Sequence, residues 1–187
     1  MRVIAGTARS LPLKCIEGLE TRPTTDRIKE TLFNMIQQEL PGCRFLDLFA
    51  GSGAIGIEAL SRGAKEAVFV ENQRKAWSCI KENLSFTRLS ERAHVILSDA
   101  VSAIRQMEGE PAFDLVFMDP PYDQGLEQQV LAALAHSTLV DSHTILILEA
   151  SKKSQDAWMK EYGFTPWRVK SYKTNRHVFI SRTEEKH

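Results

Sequence analysis

Residues 44–56 read RFLDLFAGSGAIG, and this stretch decides the fold. Its first half is apolar and predicts a buried strand over Phe45–Leu48, and its second half carries the spacing Gly51-x-Gly53-x-x-Gly56 and leads into a helical pattern. A strand, a glycine-rich turn and a helix in this order form the fingerprint of a dinucleotide-binding unit. Glu71 follows the next predicted strand, where an acid can accept hydrogen bonds from both ribose hydroxyls of a cofactor. The stretch therefore indicates a cofactor that contains adenosine.

Outward from this stretch, short apolar runs alternate with helical patterns. The predicted strands are Phe45–Leu48, Ala67–Val70, His94–Leu97, Leu115–Met118 and Thr144–Leu148. The predicted helices are Ile55–Ser61, Gln73–Leu84, Ser102–Met107, Leu126–Ala135 and Ser154–Tyr162. Such alternation is typical of the α/β class with a Rossmann-like, mostly parallel sheet. After Gly163, the runs Phe164–Tyr172 and His177–Ser181 predict an antiparallel hairpin.

The first forty residues have a different pattern. Arg2–Ala5 and Leu13–Ile16 predict a small hairpin, and a helix is expected to begin near Thr24 or Thr25, since threonine is a good N-cap. Pro41-Gly42 is expected to end that helix. We therefore predict a single domain over residues 1–187, in which residues 1–40 form a hairpin and helix extension of a Rossmann-like core over 41–187.

Composition excludes several classes of protein. The 187 residues contain no apolar run long enough to cross a membrane and no apolar segment typical of a signal peptide near the start. The three cysteines, Cys15, Cys43 and Cys79, show neither disulfide nor metal-ligand spacing, so we expect a cytoplasmic protein without a metal.

The net charge of zero conceals an uneven distribution. Residues 101–150 carry eight acids and one arginine, whereas residues 151–182 carry eight basic residues and two acids. Basic segments around an acidic centre suit a protein that binds phosphates at its edges, although ordinary solvated faces would give the same pattern.

Asp47 distinguishes between adenosine cofactors. A dinucleotide would place its pyrophosphate near this carboxylate, and the like charges would repel each other. S-adenosylmethionine instead brings an ammonium and a sulfonium, which an acid favours. Asp99, after the third predicted strand, is placed to accept from the adenine amine. The alternatives are that Asp99 caps the next helix and that Asp47 binds only local amides.

The fourth predicted strand ends in Asp119-Pro120-Pro121-Tyr122. In an open α/β sheet this position faces the ligand crevice. Two prolines fix the backbone, so the Asp119 carboxylate and the Pro120 carbonyl form two rigid acceptors for the hydrogens of an exocyclic amine. Tyr122 offers a flat face on which a base can stack. The tetrapeptide predicts methyl transfer to an amine nitrogen; the alternative is a simple turn in which Asp119 is a cap and Tyr122 packs.

With these two motifs in view, the chain resembles the class I amino-methyltransferases. The segment Arg22–Asn34, RPTTDRIKETLFN, narrows the resemblance to the RsmD-type family, bacterial methyltransferases that modify guanine N2 in small-subunit (16S) ribosomal RNA. The resemblance implies a seven-stranded sheet with an antiparallel last strand, S-adenosylmethionine as cofactor and ribosomal RNA as substrate. The RNA is expected to be part of a small-subunit particle or an assembly intermediate.

The resemblance and the motifs together give the predicted site. Its catalytic residues are Asp119, Pro120 and Tyr122, and its substrate-binding residues are Pro121, Tyr122 and Arg27. Its cofactor-binding residues are Asp47, Phe49, Gly51, Ser52, Gly53, Glu71, Asp99, Ala100, Arg22 and Thr24. Two alternatives stay open: Arg27, Lys29 and Glu30 can equally form helix-surface ion pairs, and Glu149 either orients the N-terminal segment or caps the next turn.

Three rival functions remain. A nicotinamide-dependent oxidoreductase would explain the glycine loop but neither Asp47 nor the Asp119–Tyr122 motif. A non-catalytic RNA-binding module would be expected to have lost one of these positions. Methylation of a DNA amine, at adenine N6 or cytosine N4, fits the same chemistry, but the chain is too short for a separate domain that reads a DNA sequence.

Overall fold

A single seven-stranded sheet organises the structure, a computed structural model that describes residues 1–16, 25–122 and 124–183. The strands are β1 Arg44–Asp47, β2 Glu66–Glu71, β3 Ala93–Leu97, β4 Leu115–Met118, β5 Ile145–Ser151, β6 Phe164–Ser171 and β7 Asn175–Arg182. Their spatial order is β3-β2-β1-β4-β5-β7-β6. The first five pair in parallel, and β7 lies antiparallel between β5 and β6. The mostly parallel sheet with an antiparallel end is the fold class expected from the sequence, and the strand order reverses between β1 and β4, where such sheets bind ligands.

In the part of the chain that the structure describes, five α-helices connect or flank the strands. They are α1 Asp26–Met35, α2 Ala54–Ser61, α3 Arg74–Thr87, α4 Ala100–Gln106 and α5 Leu126–Ala135. Thr25 is the N-cap of α1, and its side chain accepts from the backbone N–H of Ile28 at 3.3 Å. Within the described ranges, no helix combines the length and apolar character that crossing a bilayer requires.

Two of the predicted helix boundaries are wrong. The helix expected over Ser154–Tyr162 is instead a short 3-10 helix over Ala157–Tyr162. The first helix ends at Met35, well before Pro41-Gly42, because the chain turns there to bury both Ile36 and Leu40 in the core. Burial of these side chains outweighs the continuing helical pattern.

The core has two layers, one on each face of the sheet. Successive strand residues point to opposite faces. Phe45, Phe69 and Phe117 face the layer that contains α1, α2 and α3, whereas residues such as Leu46 and Val116 face α4 and α5. Because both faces of β1, β2, β4 and β5 are covered, these strands are apolar over most of their length, which is why the sequence shows continuous apolar runs there.

The N-terminal hairpin differs in register from the prediction. Arg2 forms a single antiparallel bridge with Pro12, and the Val3 N–H donates to the Leu11 carbonyl at 3.0 Å. The pairing thus involves residues 11–13 and not the predicted Leu13–Ile16. The turn docks tightly on α2, where a Cβ added at Gly6 would lie 1.9 Å from the Ser61 carbonyl oxygen.

A buried charge cluster joins this extension to the core. The Glu58 carboxylate accepts from the backbone N–H groups of Ile4 and Ala5 at 2.9 and 3.1 Å, and it pairs with Lys29 at 3.3 Å and Arg62 at 2.8 Å. Lys29 also donates to the Arg2 carbonyl at 2.5 Å. The side chains of Lys29 and Glu58 are fully buried, so the interpretation of Lys29 as part of a helix-surface pair is wrong.

The final hairpin forms as predicted, with a turn over residues 172–174. The Tyr172 N–H donates to the Asn175 carbonyl at 2.8 Å. Asn175 is the first residue of β7, and the described non-glycine residues with positive φ are Ser10 and Arg88. The hairpin therefore does not depend on a left-handed residue at Asn175.

Candidate active site

The glycine loop joins β1 to α2 at the point where the strand order reverses. Gly51 and Gly53 have φ values of 55° and 82°, a region that side chains other than glycine rarely occupy. Gly56 serves a different purpose, because a Cβ there would lie 2.3 Å from the ring of Phe69. The three glycines thus permit a tight turn and a close approach of α2 to the sheet.

Asp47 lies beneath this loop at the end of β1. Its side chain is 1% exposed, and one carboxylate oxygen accepts from the Gly56 N–H at 3.3 Å. The other oxygen, Oδ1, is buried without a hydrogen-bond partner among the described residues. Burial raises the pKa of Asp47 to about 7, with the nearby Glu71 carboxylate adding to the effect and the Gly56 hydrogen bond opposing it. A buried acceptor of this kind favours a cationic donor.

Glu71 ends β2 beside the loop. One of its oxygens accepts from the Gly51 N–H and the other from the Gln73 N–H, both at 2.9 Å. In a dinucleotide site, the N–H groups of this loop bind the pyrophosphate. Here the N–H groups of Gly51 and Gly56 already donate to the protein's own carboxylates, Glu71 and Asp47. The geometry therefore argues against a dinucleotide and against the oxidoreductase alternative.

A cleft of about 320 Å³ opens next to Glu71. Its lining includes four of the predicted cofactor-binding residues, Phe49, Glu71, Asp99 and Ala100. Asp99 is the N-cap of α4, because one of its oxygens accepts from the Ser102 N–H at 2.9 Å. Hydrogen bonds from the Ser102 side chain and from its backbone N–H lower the pKa of Asp99, which keeps the carboxylate ionised at the mouth of the cleft. Asp99 is thus both a helix cap and a cleft residue.

The remaining predicted cofactor and substrate residues lie in different places. Ser52 is in the loop, and its carbonyl accepts from the side chain of Asn83 at 2.9 Å. Arg27 is exposed on α1 and lines neither of the two described cavities. Arg22 and Thr24 lie outside the described residues.

Asp119 follows β4, the strand next to β1. Because β1 and β4 are paired at Asp47 and Phe117, Asp119 lies on the same edge of the sheet as the glycine loop. Burial and the neighbouring carboxylates of Glu149 and Asp47 raise the pKa of Asp119 well above its usual value. A buried acid whose pKa is raised by specific neighbouring charges is typical of a functional site.

A second, smaller cavity of about 50 Å³ lies beside the tetrapeptide. Pro120 and Tyr122 line it together with Glu149, Trp158 and residues 154–156. Tyr122 is 43% exposed, and Pro121 is exposed as well. Pro120 and Tyr122 of the predicted catalytic residues therefore line this smaller cavity, whereas the larger cleft is lined by the predicted cofactor residues.

Sequence reasoning missed a polar network at this cavity. The Glu149 carboxylate accepts from the Asn175 side-chain amide at 2.6 Å and contacts the His177 Nε2 at 3.1 Å. On its other side, His177 Nδ1 lies 3.3 Å from the Tyr172 hydroxyl. Glu149 does not cap the next turn, since the Lys153 N–H donates to Ser151 instead. The sequence gives no signal of this network, because Glu149 and His177 are distant along the chain and adjacent only through the β5–β7 pairing.

The residues present fit S-adenosylmethionine. The unpartnered Oδ1 of Asp47 lacks the donor that an amino acid ammonium would supply, and acids at Asp47, Glu71 and Asp99 make this side of the sheet unfavourable for phosphates. The adenosine part of the cofactor suits the cleft, where Phe49 provides an aromatic surface.

Comparison with known proteins gives a consistent result. A family model described as conserved hypothetical protein 95 matches residues 1–181. The chain is 45% identical over 147 residues to YlbH of Bacillus subtilis, named as a candidate rRNA methyltransferase, covering 78% of the chain and 77% of that protein. It is 39% identical over 155 residues to the ribosomal RNA small subunit methyltransferase D of Haemophilus influenzae, covering 81% and 79%. The solved structure of yhhF from Escherichia coli, a candidate methyltransferase, superimposes with a TM-score of 0.84 at 30% identity and covers 99% of both chains.

Proposed function

We propose a function from the premise that the chain belongs to the conserved hypothetical protein 95 family and is a methyltransferase of the RsmD type. It methylates the exocyclic N2 amine of a specific guanine in small-subunit ribosomal RNA, with S-adenosylmethionine as the methyl donor. The observation that carries the proposal is the buried Asp119 near Asp47 at the ligand edge of the sheet, with Pro120 and Tyr122 lining a cavity beside it. Ribosomal RNA as the substrate is supported by the names of the relatives.

Residues on both sides of the glycine loop would hold the cofactor. Asp47 pairs with the ammonium through its free oxygen, and Glu71 accepts from the ribose hydroxyls while it still holds the Gly51 N–H. The remaining contacts come from Phe49, Ser52, Gly53, Asp99 and Ala100, and from Arg22 and Thr24 outside the described residues. When bound, S-adenosylmethionine supplies an electrophilic methyl group.

On the substrate side, Asp119 and Pro120 hold the amine. The Asp119 carboxylate and the Pro120 carbonyl accept the two amine hydrogens, which localises the nitrogen lone pair and aims it at the methyl carbon. Tyr122 stacks on the base, a contact worth about 1–3 kcal/mol, and Pro121 keeps the backbone rigid. The amine nitrogen would bond to the methyl carbon as the carbon–sulfur bond of the sulfonium breaks. The methylated amine would then lose one proton to the Asp119 carboxylate, whose raised pKa favours accepting it.

Charge supports RNA as the partner. The segment 151–182 is strongly basic, and Arg27 is exposed on α1, so both can contact phosphates near a site that is itself acidic. We propose that the whole chain acts as one domain on ribosomal RNA within a small-subunit particle or an assembly intermediate in the cytoplasm, where such particles form.

The test is methylation of small ribosomal subunits isolated from cells that lack this methyltransferase. Purified protein and S-adenosylmethionine labelled in the methyl group are incubated with the subunits, and the modified nucleotide is mapped by mass spectrometry. We expect N2-methylguanosine at one position, formed by the wild type and by Asp114→Asn, a control at the opposite end of β4, but not by Asp119→Asn. A DNA duplex methylated as fast as the subunits, or RNA binding without any methyl transfer by the wild type, would overturn the proposal.

A further inference from the structure

Glu149 occupies the strand position next to Asp119. Met118 of β4 is paired with Leu148 of β5, so Asp119 and Glu149 are the next residues on two adjacent parallel strands. Neighbouring strands lie about 5 Å apart, and in-register residues point to the same face. Glu149 also lines the small cavity together with Pro120 and Tyr122. If Asp119 and Pro120 hold the amine of a base, the ring nitrogen next to that amine therefore faces Glu149.

The Glu149 carboxylate is fixed and retains free acceptor capacity. It is 5% exposed and is held by the Asn175 amide and the His177 ring, one on each oxygen. The pKa of Tyr172 is raised to about 12 by burial and by the Glu149 charge, so its hydroxyl keeps its proton and donates to His177 Nδ1. The His177 Nε2 then carries the proton and donates to Glu149. A carboxylate has about four acceptor positions, and these two donors leave room for a third.

The three amine-bearing bases differ in the atom beside the amine. In guanine, the N2 amine lies between N3, which is an acceptor, and N1–H, which is a donor that neither other base has beside its amine. In adenine the N6 amine, and in cytosine the N4 amine, is adjacent to a ring nitrogen that carries a lone pair and is an acceptor. A fixed carboxylate beside the amine attracts the donor of guanine and repels the lone pair of the other two bases.

We propose that Glu149 is the specificity-determining residue for guanine, accepting the N1–H of the substrate base while Asp119 and Pro120 hold its N2 amine. This inference rests on the proposed function and names the contact that selects guanine at that site. Asp156 lines the same cavity but is not equivalent, because both of its oxygens are bound by Arg176, at 2.6 and 2.9 Å. The network of Asn175, His177 and Tyr172 positions Glu149 and does not touch the base.

The test uses base analogues at the nucleotide mapped above. Synthetic RNA carrying guanine, 6-thioguanine or 2-aminopurine at this position is assembled with small-subunit proteins, and kcat/KM for methyl transfer is measured. 6-Thioguanine keeps N1–H and the 2-amine, whereas 2-aminopurine keeps the amine but has a lone pair at N1. We expect the wild type to accept 6-thioguanine and to prefer guanine over 2-aminopurine by about 100-fold or more.

The Glu149→Gln variant carries an amide that can donate to N1 of 2-aminopurine. We expect it to reduce the preference for guanine at least about 10-fold, while Glu127→Gln, the same change at another residue of this cavity, leaves the preference unchanged. A merely structural role for Glu149 would slow both substrates equally and leave their ratio unchanged, which would overturn the inference.

The wild-type measurement decides the matter even if the Glu149 variant does not fold. Equal methylation of guanine and 2-aminopurine by the wild type would overturn the inference but leave the proposed function intact. Failure of the wild type to methylate guanine in any of these particles would instead count against the proposed function itself.

Discussion

Replacing Asp47 with asparagine should stabilise the empty protein and weaken cofactor binding at the same time. Burial raises the pKa of Asp47 from 3.8 to about 7. Between these values the folded protein retains a proton that the unfolded chain has released. The contribution of Asp47 to the free energy of unfolding is therefore fully present below about pH 4 and is lost as the pH rises through 7.

The size of the effect follows from the shift in pKa. An increase from 3.8 to about 7 corresponds to about 4 kcal/mol of destabilisation at pH 8 and about 2 kcal/mol at pH 5.5. Asparagine has a similar shape and never ionises, and its oxygen can still accept from the Gly56 N–H. The Asp47→Asn variant should therefore exceed the wild type in free energy of unfolding by up to these amounts, with the difference shrinking towards acidic pH.

Two measurements test this reasoning. Urea denaturation at pH 8 and pH 5.5 gives the difference in stability, and isothermal titration with S-adenosylhomocysteine at pH 7.5 gives the affinity. Loss of the contact between the carboxylate and the ammonium should weaken binding by about 2–3 kcal/mol, or about 30- to 150-fold. The Asp114→Asn variant is the control, because its carboxylate lies at the other end of the sheet. It should leave the affinity for S-adenosylhomocysteine unchanged and should not show the gain in stability expected from removing the buried charge at the cofactor site. A variant that is less stable than the wild type at pH 8, or one that binds with unchanged affinity, would refute the argument.

Three further changes probe other parts of the molecule. Gly56→Ala brings a methyl group into the Phe69 ring and should lower the free energy of unfolding by about 1–3 kcal/mol in urea denaturation; no loss would mean that the helix moves away freely. Lys29→Met leaves Glu58 buried without one of its cations and should cost about 3 kcal/mol in the same assay, whereas a neutral result would show that the remaining partners suffice. For the wild type, kcat/KM should rise with pH as Asp119 ionises, because only the carboxylate accepts the amine hydrogens. The Asp119→Asn variant should have a kcat at least about 100-fold lower while it still binds S-adenosylhomocysteine. A wild-type kcat/KM that does not depend on pH would contradict this role of Asp119.

Local chemistry made the fold and the cofactor loop predictable from the sequence. The strand over residues 44–47, the turn through Gly51 and Gly53 and the N-cap at Thr25 depend on residues close together in the chain, and all of them occur in the structure. The alternation of apolar runs and helical patterns likewise predicted the parallel sheet, because strands that are buried on both faces must be apolar throughout. Where local preference competed with burial, as at the end of α1, the prediction failed.

The sequence by itself therefore determined the class of fold, the glycine loop and the acids at Asp47 and Asp119. Only the tertiary structure decided which groups these acids meet. The pairing of Glu149 with His177 crosses 28 positions of the chain, and that of Lys29 with Glu58 crosses 29, and both exist because strands and helices pack in one arrangement. No local pattern marks such partners, because the same type of charged residue occurs in both buried and exposed positions. Their environments, and hence the raised pKa values at the active site, arise from packing.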